Sequence, residues 1–144
     1  MFLTNKPTAS RVAMVHVQDP RVRWNVRAAQ VLRIVPAADW RAAPPIDVLA
    51  ALAPAPAPHD DTLRVIIVRC AGGHETALVA GGPISVADVE SGDVLPLPIE
   101  LARTALEISA IIVAADASLS LLLDPLAIAT PDAALREEPC PSRS

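Results

Sequence analysis

Cys70 and His74 are the two side chains whose chemical types and spacing come nearest to a reactive site. They flank an Ala-Gly-Gly turn, close enough in sequence for a thiolate and imidazole pair or for two ligands of one metal ion. A zinc site needs two further ligands, and His16, His59 and Cys140 lie in unrelated patterns. A small buried thiol beside an exposed turn histidine is therefore favoured, and we predict no metal, no cofactor and no catalytic residue.

His16 and the pair Asp60 and Asp61 are the remaining candidates for catalysis or ion binding. His16 has apolar neighbours in a strand pattern, and no nucleophile or paired carboxylate has a spacing that brings it to this imidazole. A partly buried, hydrogen-bonded histidine is therefore favoured over a general base. No oxygen-rich loop of the calcium-binding type follows Asp60 and Asp61, which favours a solvated pair. The sequence predicts a protein that is not an enzyme, and a small enzyme using Cys70 and His74 is the less favoured alternative.

The composition argues against two kinds of partner. The 144 residues carry a formal net charge of -4 and have only Phe2, Trp24 and Trp40 as aromatic residues, so nucleic acid is not an expected partner. Hydrophobic residues make up 52% of the chain, but proline, aspartate or arginine interrupts every run long enough to span a membrane. Without a basic segment followed by an apolar one at the N-terminus, we predict a cytoplasmic protein with reduced thiols.

Short strand patterns dominate the chain, and short helical patterns lie between them. Alternation of apolar and polar residues and clusters of β-branched residues mark the strands, whereas apolar spacing of three and four marks the helices. The predicted strands are 11–18, 21–27, 31–35, 63–69, 76–80, 84–89, 110–114 and 119–123, and the predicted helices are 48–53, 99–108 and 126–128. Three prolines in 54–58 predict an extended linker over 54–61.

The strand predicted over 21–27 has the clearest alternation. Its apolar residues should enter a core, and its polar residues, three of them arginines, should face water. A locally positive face of this kind is usually solvated, but it can also meet an acidic surface of a partner. The two sets are Val22, Trp24 and Val26 for the core, and Arg21, Arg23, Asn25 and Arg27 for solvent.

The stretch from Thr62 to Pro98 organises the predicted fold as a three-strand meander. Gly72 and Gly73 can supply positive φ for its first turn, and Gly81-Gly82-Pro83 makes its second. A closing hairpin over 110–123 follows. Many short strands with turns between them predict a small β-barrel or a pair of half-barrels with a few short helices. A doubly wound α/β fold is the rival, and the shortage of long helices counts against it.

From residue 63 onward the sequence resembles the CheW-like domain, the adaptor module of bacterial chemotaxis-type signalling. The strand pair at 64–80 leads into a strand at 84–89 and a proline-bearing segment at 94–98, as in that family. The closing match is a hairpin and short helix at 108–128. These segments read RVIIVRCAGGHETALVA, ISVADV, VLPLP and ISAIIVAADASLSLLLDPLAI, and weaker matches earlier in the chain read RWNV, VLRIVP and PIDV.

The resemblance implies a mainly β fold with short helices, built as two SH3-like barrel subdomains. It places a CheW-like domain over 11–129, with a shortened first subdomain at 11–53 and the meander and closing hairpin at 62–129. Residues 1–10 and 130–144 are expected to be disordered.

The same resemblance implies a scaffold without enzymatic activity that couples a chemoreceptor to a CheA-type histidine kinase. Family adaptors use an arginine near the receptor surface, and only Arg41, in Asp39-Trp40-Arg41-Ala42, matches it as a protein-binding residue. The alternative is a CheW-like interaction module that acts outside chemotaxis.

Overall fold

The computed structural model describes residues 10–42, 44–50, 52, 63–100 and 107–128, and it shows strands joined by short turns. Within these residues every strand is seven residues long or shorter, as expected for a chain that changes direction at proline and glycine clusters. The strands are β1 (Arg11–Val17), β2 (Trp24–Arg27), β3 (Val31–Pro36), β4 (Arg64–Arg69), β5 (Glu75–Ala80), β6 (Ile84–Glu90), β7 (Val94–Pro96), β8 (Ile108–Val113) and β9 (Leu119–Leu123). Single turns of 3-10 helix occupy Ala28–Gln30, Ala37–Asp39, Ala71–Gly73, Ser91–Asp93 and Pro125–Ala127.

Six of these strands form one curled sheet in the order β6-β1-β2-β9-β8-β7. All pairs are antiparallel except β2 with β9, where Trp24 lies beside Leu121. The two edge strands, β6 and β7, follow each other in the chain and are connected only by Ser91–Asp93. Because three residues cannot span an open six-stranded sheet, the sheet must curl until its edges approach each other.

The other three strands form a second sheet in the order β3-β4-β5. Ile46 extends this sheet beside β5: its amide donates to the Ala77 carbonyl at 2.8 Å, and its carbonyl accepts from Val79 at 2.9 Å. Each sheet therefore takes strands from both sides of the predicted linker. Strands β1 and β2 belong to the same sheet as β6, β7, β8 and β9, whereas β3 belongs to the same sheet as β4 and β5. The boundaries predicted near 53 and 62 do not separate the two sheets.

The largest core lies between the two sheets. The outward face of the six-stranded sheet contributes Val17 and Trp24, and the second sheet contributes Ile66 and Leu78, all fully buried. Inside the curl of the six-stranded sheet lies a smaller core around Met14. Successive residues of β1 thus enter different cores, which explains why this strand has apolar residues on both faces.

The predicted three-strand meander is wrong in its last pairing. Strands β4 and β5 pair as expected, but β6 leaves them and pairs with β1 in the other sheet. The turn that redirects the chain is packed against the end of β1: Gln18 donates its amide to the Pro83 carbonyl at 2.9 Å, and a Cβ at Gly82 would overlap the Gln18 carbonyl. This close approach, rather than a tight hairpin, is what the glycine permits.

The short elements after β3 and β7 also depart from the predicted helices. Residues 48–50 form a turn in which Asp47 accepts the Leu49 amide at 3.2 Å, as a capping residue would. The helix predicted over 99–108 cannot include Ile108, which begins β8; only 99–100 are helical among its described residues. The last helix is a single turn held by Asp124, which accepts the Leu126 amide.

Several predictions lie outside the described residues. They concern the ends of the chain, the linker at 54–61, the pair Asp60 and Asp61, and Cys140.

Candidate functional site

The Cys70 thiol lies in the core between the sheets and is 1% exposed. Burial raises its pKa, which is opposite to the change that activates a cysteine nucleophile. The link between Cys70 and His74 is through the backbone: the Cys70 amide donates to the His74 carbonyl at 2.7 Å. Gly72 and Gly73 between them have φ of 85° and 84°, so this turn uses glycine as predicted. No group of three or more metal-ligating side chains occurs within the described residues.

His16 is part of a hydrogen-bonded chain that crosses β1, β2 and β9. Its Nδ1 lies 2.8 Å from Asn25 Oδ1, and Asn25 Nδ2 donates to Ser120 Oγ at 2.8 Å and to the Leu121 carbonyl at 3.0 Å. Since Nδ2 must be the donor to a carbonyl, Oδ1 is the acceptor and His16 Nδ1 carries the proton. The prediction of a partly buried, hydrogen-bonded histidine is confirmed.

Asn25 was expected to face water and is instead 3% exposed. It lies opposite His16 in the register of β1 and β2, so its side chain points into the curl of the sheet with His16. The Asn25 amide can donate two hydrogen bonds and accept two, and three of these four are made by the contacts above; one lone pair of Oδ1 remains. Asn25 therefore fits the polar alternation of this strand because it makes hydrogen bonds inside the curled sheet, and not because it faces water.

Arg21 was also expected to face solvent, and this prediction is wrong. It lies in the loop before β2, and its side chain is only 7% exposed. The guanidinium donates to both oxygens of Asp19, at 3.0 and 2.8 Å, and to both oxygens of Asp47, at 2.7 and 2.9 Å. This fork of hydrogen bonds explains how the fully buried Asp19 side chain is tolerated.

The pKa values in this cluster follow from the same contacts. Burial by itself would raise the pKa of Asp19, but hydrogen bonds from the Arg21 side chain and backbone outweigh it and lower the pKa. The two carboxylates raise the pKa of Arg21. Asp19 and Arg21 are therefore ionised, and the hydrogen bonds from Arg21 to Asp47 join the β1–β2 loop to the segment beside β5.

An open groove of about 440 Å³ lies along the curl of the six-stranded sheet. Asn25 and Ser120 form its buried floor, and His16 lines it from β1. Its rim carries carboxylates on two sides, from the β6 side and from the β8–β9 turn, and one guanidinium. The charged rim residues are Asp88, Glu90, Asp93, Asp116 and Arg23. The Ser118 hydroxyl donates to Asp116 at 2.6 Å within its own turn, and the Ser120 hydroxyl accepts from Asn25. The open shape and the acidic rim of the groove are those of a binding surface.

Arg41 is exposed and lies two residues after the 3-10 turn Ala37–Asp39. Its neighbour Trp40 is half-buried and packs against the outer face of the second sheet, beside Val65 and Ile67. Trp40 thereby fixes the backbone from which Arg41 projects, because its ring is held by the sheet. The role of Arg41 in protein binding stays a prediction.

Sequence reasoning located His16, Arg41 and the glycine turn but missed the groove and the ion cluster. The polar floor of the groove could have been predicted from a pairing of β1 with β2. With the loop at 18–23 between these strands, the register places Asn25 opposite His16. No comparable local signal exists for Asp47, which is 26 residues from Arg21 in the chain.

Comparison with known proteins shows a likeness of fold and none of sequence. No protein-family model matches the sequence, and no curated protein matches it. Among solved structures, the chain is similar to the scaffolding protein TtCheW from Thermoanaerobacter tengcongensis, with a TM-score of 0.64 and 12% identity. The similarity covers 81% of this chain and 91% of that one.

The chain therefore has the fold of a CheW-like domain. It is mainly β with short helices, and its curled sheets correspond to the two SH3-like subdomains that the sequence resemblance implied. No helix within the described residues is long and apolar enough to cross a membrane.

Proposed function

We propose that this protein is a non-catalytic scaffold of a chemotaxis-type signalling system, located in the cytoplasm, that couples a chemoreceptor to a CheA-type histidine kinase. The observation that carries the proposal is the likeness of fold to a bacterial scaffolding protein over most of both chains. The buried Cys70 thiol with its raised pKa argues in the same direction, because the one cysteine of the described residues is unsuited to catalysis.

Arg41 is the residue we propose for the receptor-facing contact. It is exposed, carries a permanent charge, and follows an aromatic residue anchored on the second sheet. A guanidinium on a fixed backbone loses little freedom when a carboxylate of the partner pairs with it. The motif around it, Asp39-Trp40-Arg41-Ala42, is the match that the family resemblance provides.

Affinity capture from the native bacterium tests this proposal. Tagged full-length protein and an Arg41→Glu variant are used as baits, with Arg69→Glu as the matched control because Arg69 is also exposed but lies at the end of β4. We expect the unchanged protein and the control to retain a CheA-type kinase and a chemoreceptor, and Arg41→Glu to lose the receptor. If the unchanged bait retains neither, the coupling role is refuted.

A CheW-like interaction module acting outside chemotaxis is the second candidate. It is favoured by the 12% identity and by the short segment 37–44, where the resemblance leads us to expect a longer loop. Capture of partners that include no receptor or kinase, with loss of those partners in a surface variant, would establish it over the first.

A further inference from the structure

The groove in the six-stranded sheet lies beside a strand that is paired on one side only. Among the described residues, β6 hydrogen-bonds to β1, and its other edge has no neighbouring strand. At seven residues it is as long as any strand of the fold, and its middle residues, Ser85 to Asp88, are exposed. A long exposed edge presents a row of amide and carbonyl groups that an extended segment of another chain can pair with.

Curling of the sheet creates space next to this edge. Strand β7, the partner that would close the sheet, has three residues and ends at Pro96, which has no amide to donate. The groove opens between β6 and the β8–β9 turn, with Ser120 on its floor, 9% exposed. The gap is therefore lined by backbone on one side and by side chains on the other.

The charges around the groove determine which segment fits. Asp88, Glu90 and Asp93 lie on the β6 side and Asp116 on the opposite side, and Arg23 is the guanidinium among the lining residues. Glu90 is paired with Arg11 at 3.9 Å, so the carboxylates that a cationic segment would meet are Asp88, Asp93 and Asp116. Hydrogen bonds from Ser118 to Asp116 lower the pKa of that carboxyl and keep it ionised. A segment with lysine or arginine complements this rim, and an acidic segment is repelled.

The floor adds polar groups that suit a side chain inserted from above. His16 Nδ1 donates to Asn25, and the Ser120 hydroxyl accepts from Asn25 Nδ2. An ammonium or guanidinium group has donors only, and it can use the Ser120 hydroxyl oxygen as an acceptor together with the carboxylates of the rim. Val86, two residues before Asp88 and therefore on the same face of β6, is 68% exposed and offers an apolar contact to the aliphatic part of a lysine or arginine side chain.

We propose that the groove and the open edge of β6 form a docking site for an extended, basic segment of a partner protein, which adds a strand to the six-stranded sheet and places its cationic side chains between Asp88, Asp93 and Asp116. This site is separate from Arg41, since the carboxylate rim belongs to the six-stranded sheet and Arg41 follows the second sheet. The inference does not depend on the chemotaxis role.

Titration of the full-length protein with short synthetic peptides, followed by NMR, tests the proposal. The probe is a seven-residue peptide that alternates lysine with valine. One control peptide has glutamate in place of lysine, and a second has proline in place of the central valine, which removes a backbone donor. We expect the lysine peptide to shift amides of residues 85–90 and 116–120, and both control peptides to bind at least about fivefold more weakly.

A double variant tests the same site on the protein. Asp88→Asn with Asp93→Asn should weaken binding of the lysine peptide by about fivefold or more, whereas Asp39→Asn, at an exposed acid outside the groove, should leave it unchanged. Equal binding of the three peptides, shifts confined to other residues, or no binding up to about 1 mM would overturn the proposal. A concentration-dependent dimer that excludes the peptide would also overturn it, since a second copy would then be the occupant.

Discussion

Arg21 joins the two sheets of the fold through Asp47, whose carboxylate oxygen lies 2.7 Å from the Arg21 guanidinium. Arg21 belongs to the loop between two strands of the six-stranded sheet, and Asp47 follows Ile46, which pairs with β5 of the second sheet. The same guanidinium holds the buried carboxylate of Asp19. One side chain therefore fixes how the loop of one sheet sits against the other.

Removing this guanidinium should destabilise the protein strongly. Arg21→Gln leaves the fully buried Asp19 without its ion pair, and we expect a loss of about 3 kcal/mol in the free energy of unfolding, measured by urea denaturation. Arg33→Gln is the control, because Arg33 pairs with Glu75 at 3.4 Å with 52% of its side chain exposed; it should cost about 1 kcal/mol or less. Equal losses in the two variants would contradict this account of the ion cluster.

The stability of the protein should fall in acid because of Asp19. Its folded pKa is lowered below the unfolded value of about 3.9, so the ionised carboxylate favours the folded state. This contribution is complete above the unfolded pKa and is lost as the pH falls through the folded pKa. Urea denaturation from pH 7 to pH 3 measures it. Below about pH 4, the free energy of unfolding of Asp19→Asn should fall less steeply than that of Asp39→Asn. Parallel curves for these two variants would exclude Asp19 as a source of the loss of stability in acid.

Cys70 should be unreactive in the folded protein. Its thiol is 1% exposed and its pKa is raised by burial. In a Cys140→Ser variant, which leaves Cys70 as the one cysteine of the chain, alkylation should be at least about a hundredfold slower in buffer than in urea. Alkylation at the rate of an exposed thiol would revive the alternative of a Cys70- and His74-dependent enzyme.

Gly82 should be intolerant of a side chain, because the chain crosses from β5 to β6 there against the Gln18 carbonyl. We expect Gly82→Ala to lower the free energy of unfolding by about 1 to 3 kcal/mol. Gly92→Ala is the matched control, since a Cβ at Gly92 meets nothing within 4 Å, and it should change stability by about 0.5 kcal/mol at most. A tolerated Gly82→Ala substitution would show that the turn does not pack against β1 in this way.

Local pattern predicted most strands because each one has its own signal, such as the run Val65 to Val68 that becomes β4. The pairing of strands that are far apart in the sequence was harder to predict. β6 pairs with β1 and not with β5, and Gly82 packs against Gln18 where the chain crosses between the sheets. The sequence of β6 does not show which strand it will pair with.

The alternation over residues 21–27 shows the same limit for the site. Arg21, Asn25 and Arg23 look alike in a period of two, but Arg21 is buried by Asp19 and Asp47, Asn25 is buried by the curl of the sheet, and only Arg23 is exposed. Arg41 was singled out by resemblance alone, since nothing in its type or spacing distinguishes it from the other arginines.

Binding of the purified protein to the regulatory domain of a CheA-type kinase from the same bacterium tests the central claim most directly. Isothermal titration calorimetry with the full-length chain gives the affinity and the stoichiometry. A scaffold should bind with a dissociation constant on the order of tens of micromolar or tighter, at one protein per regulatory domain. Absence of binding to any such domain of that bacterium, by protein whose folded state is verified by its cooperative urea transition, would contradict the proposed coupling role.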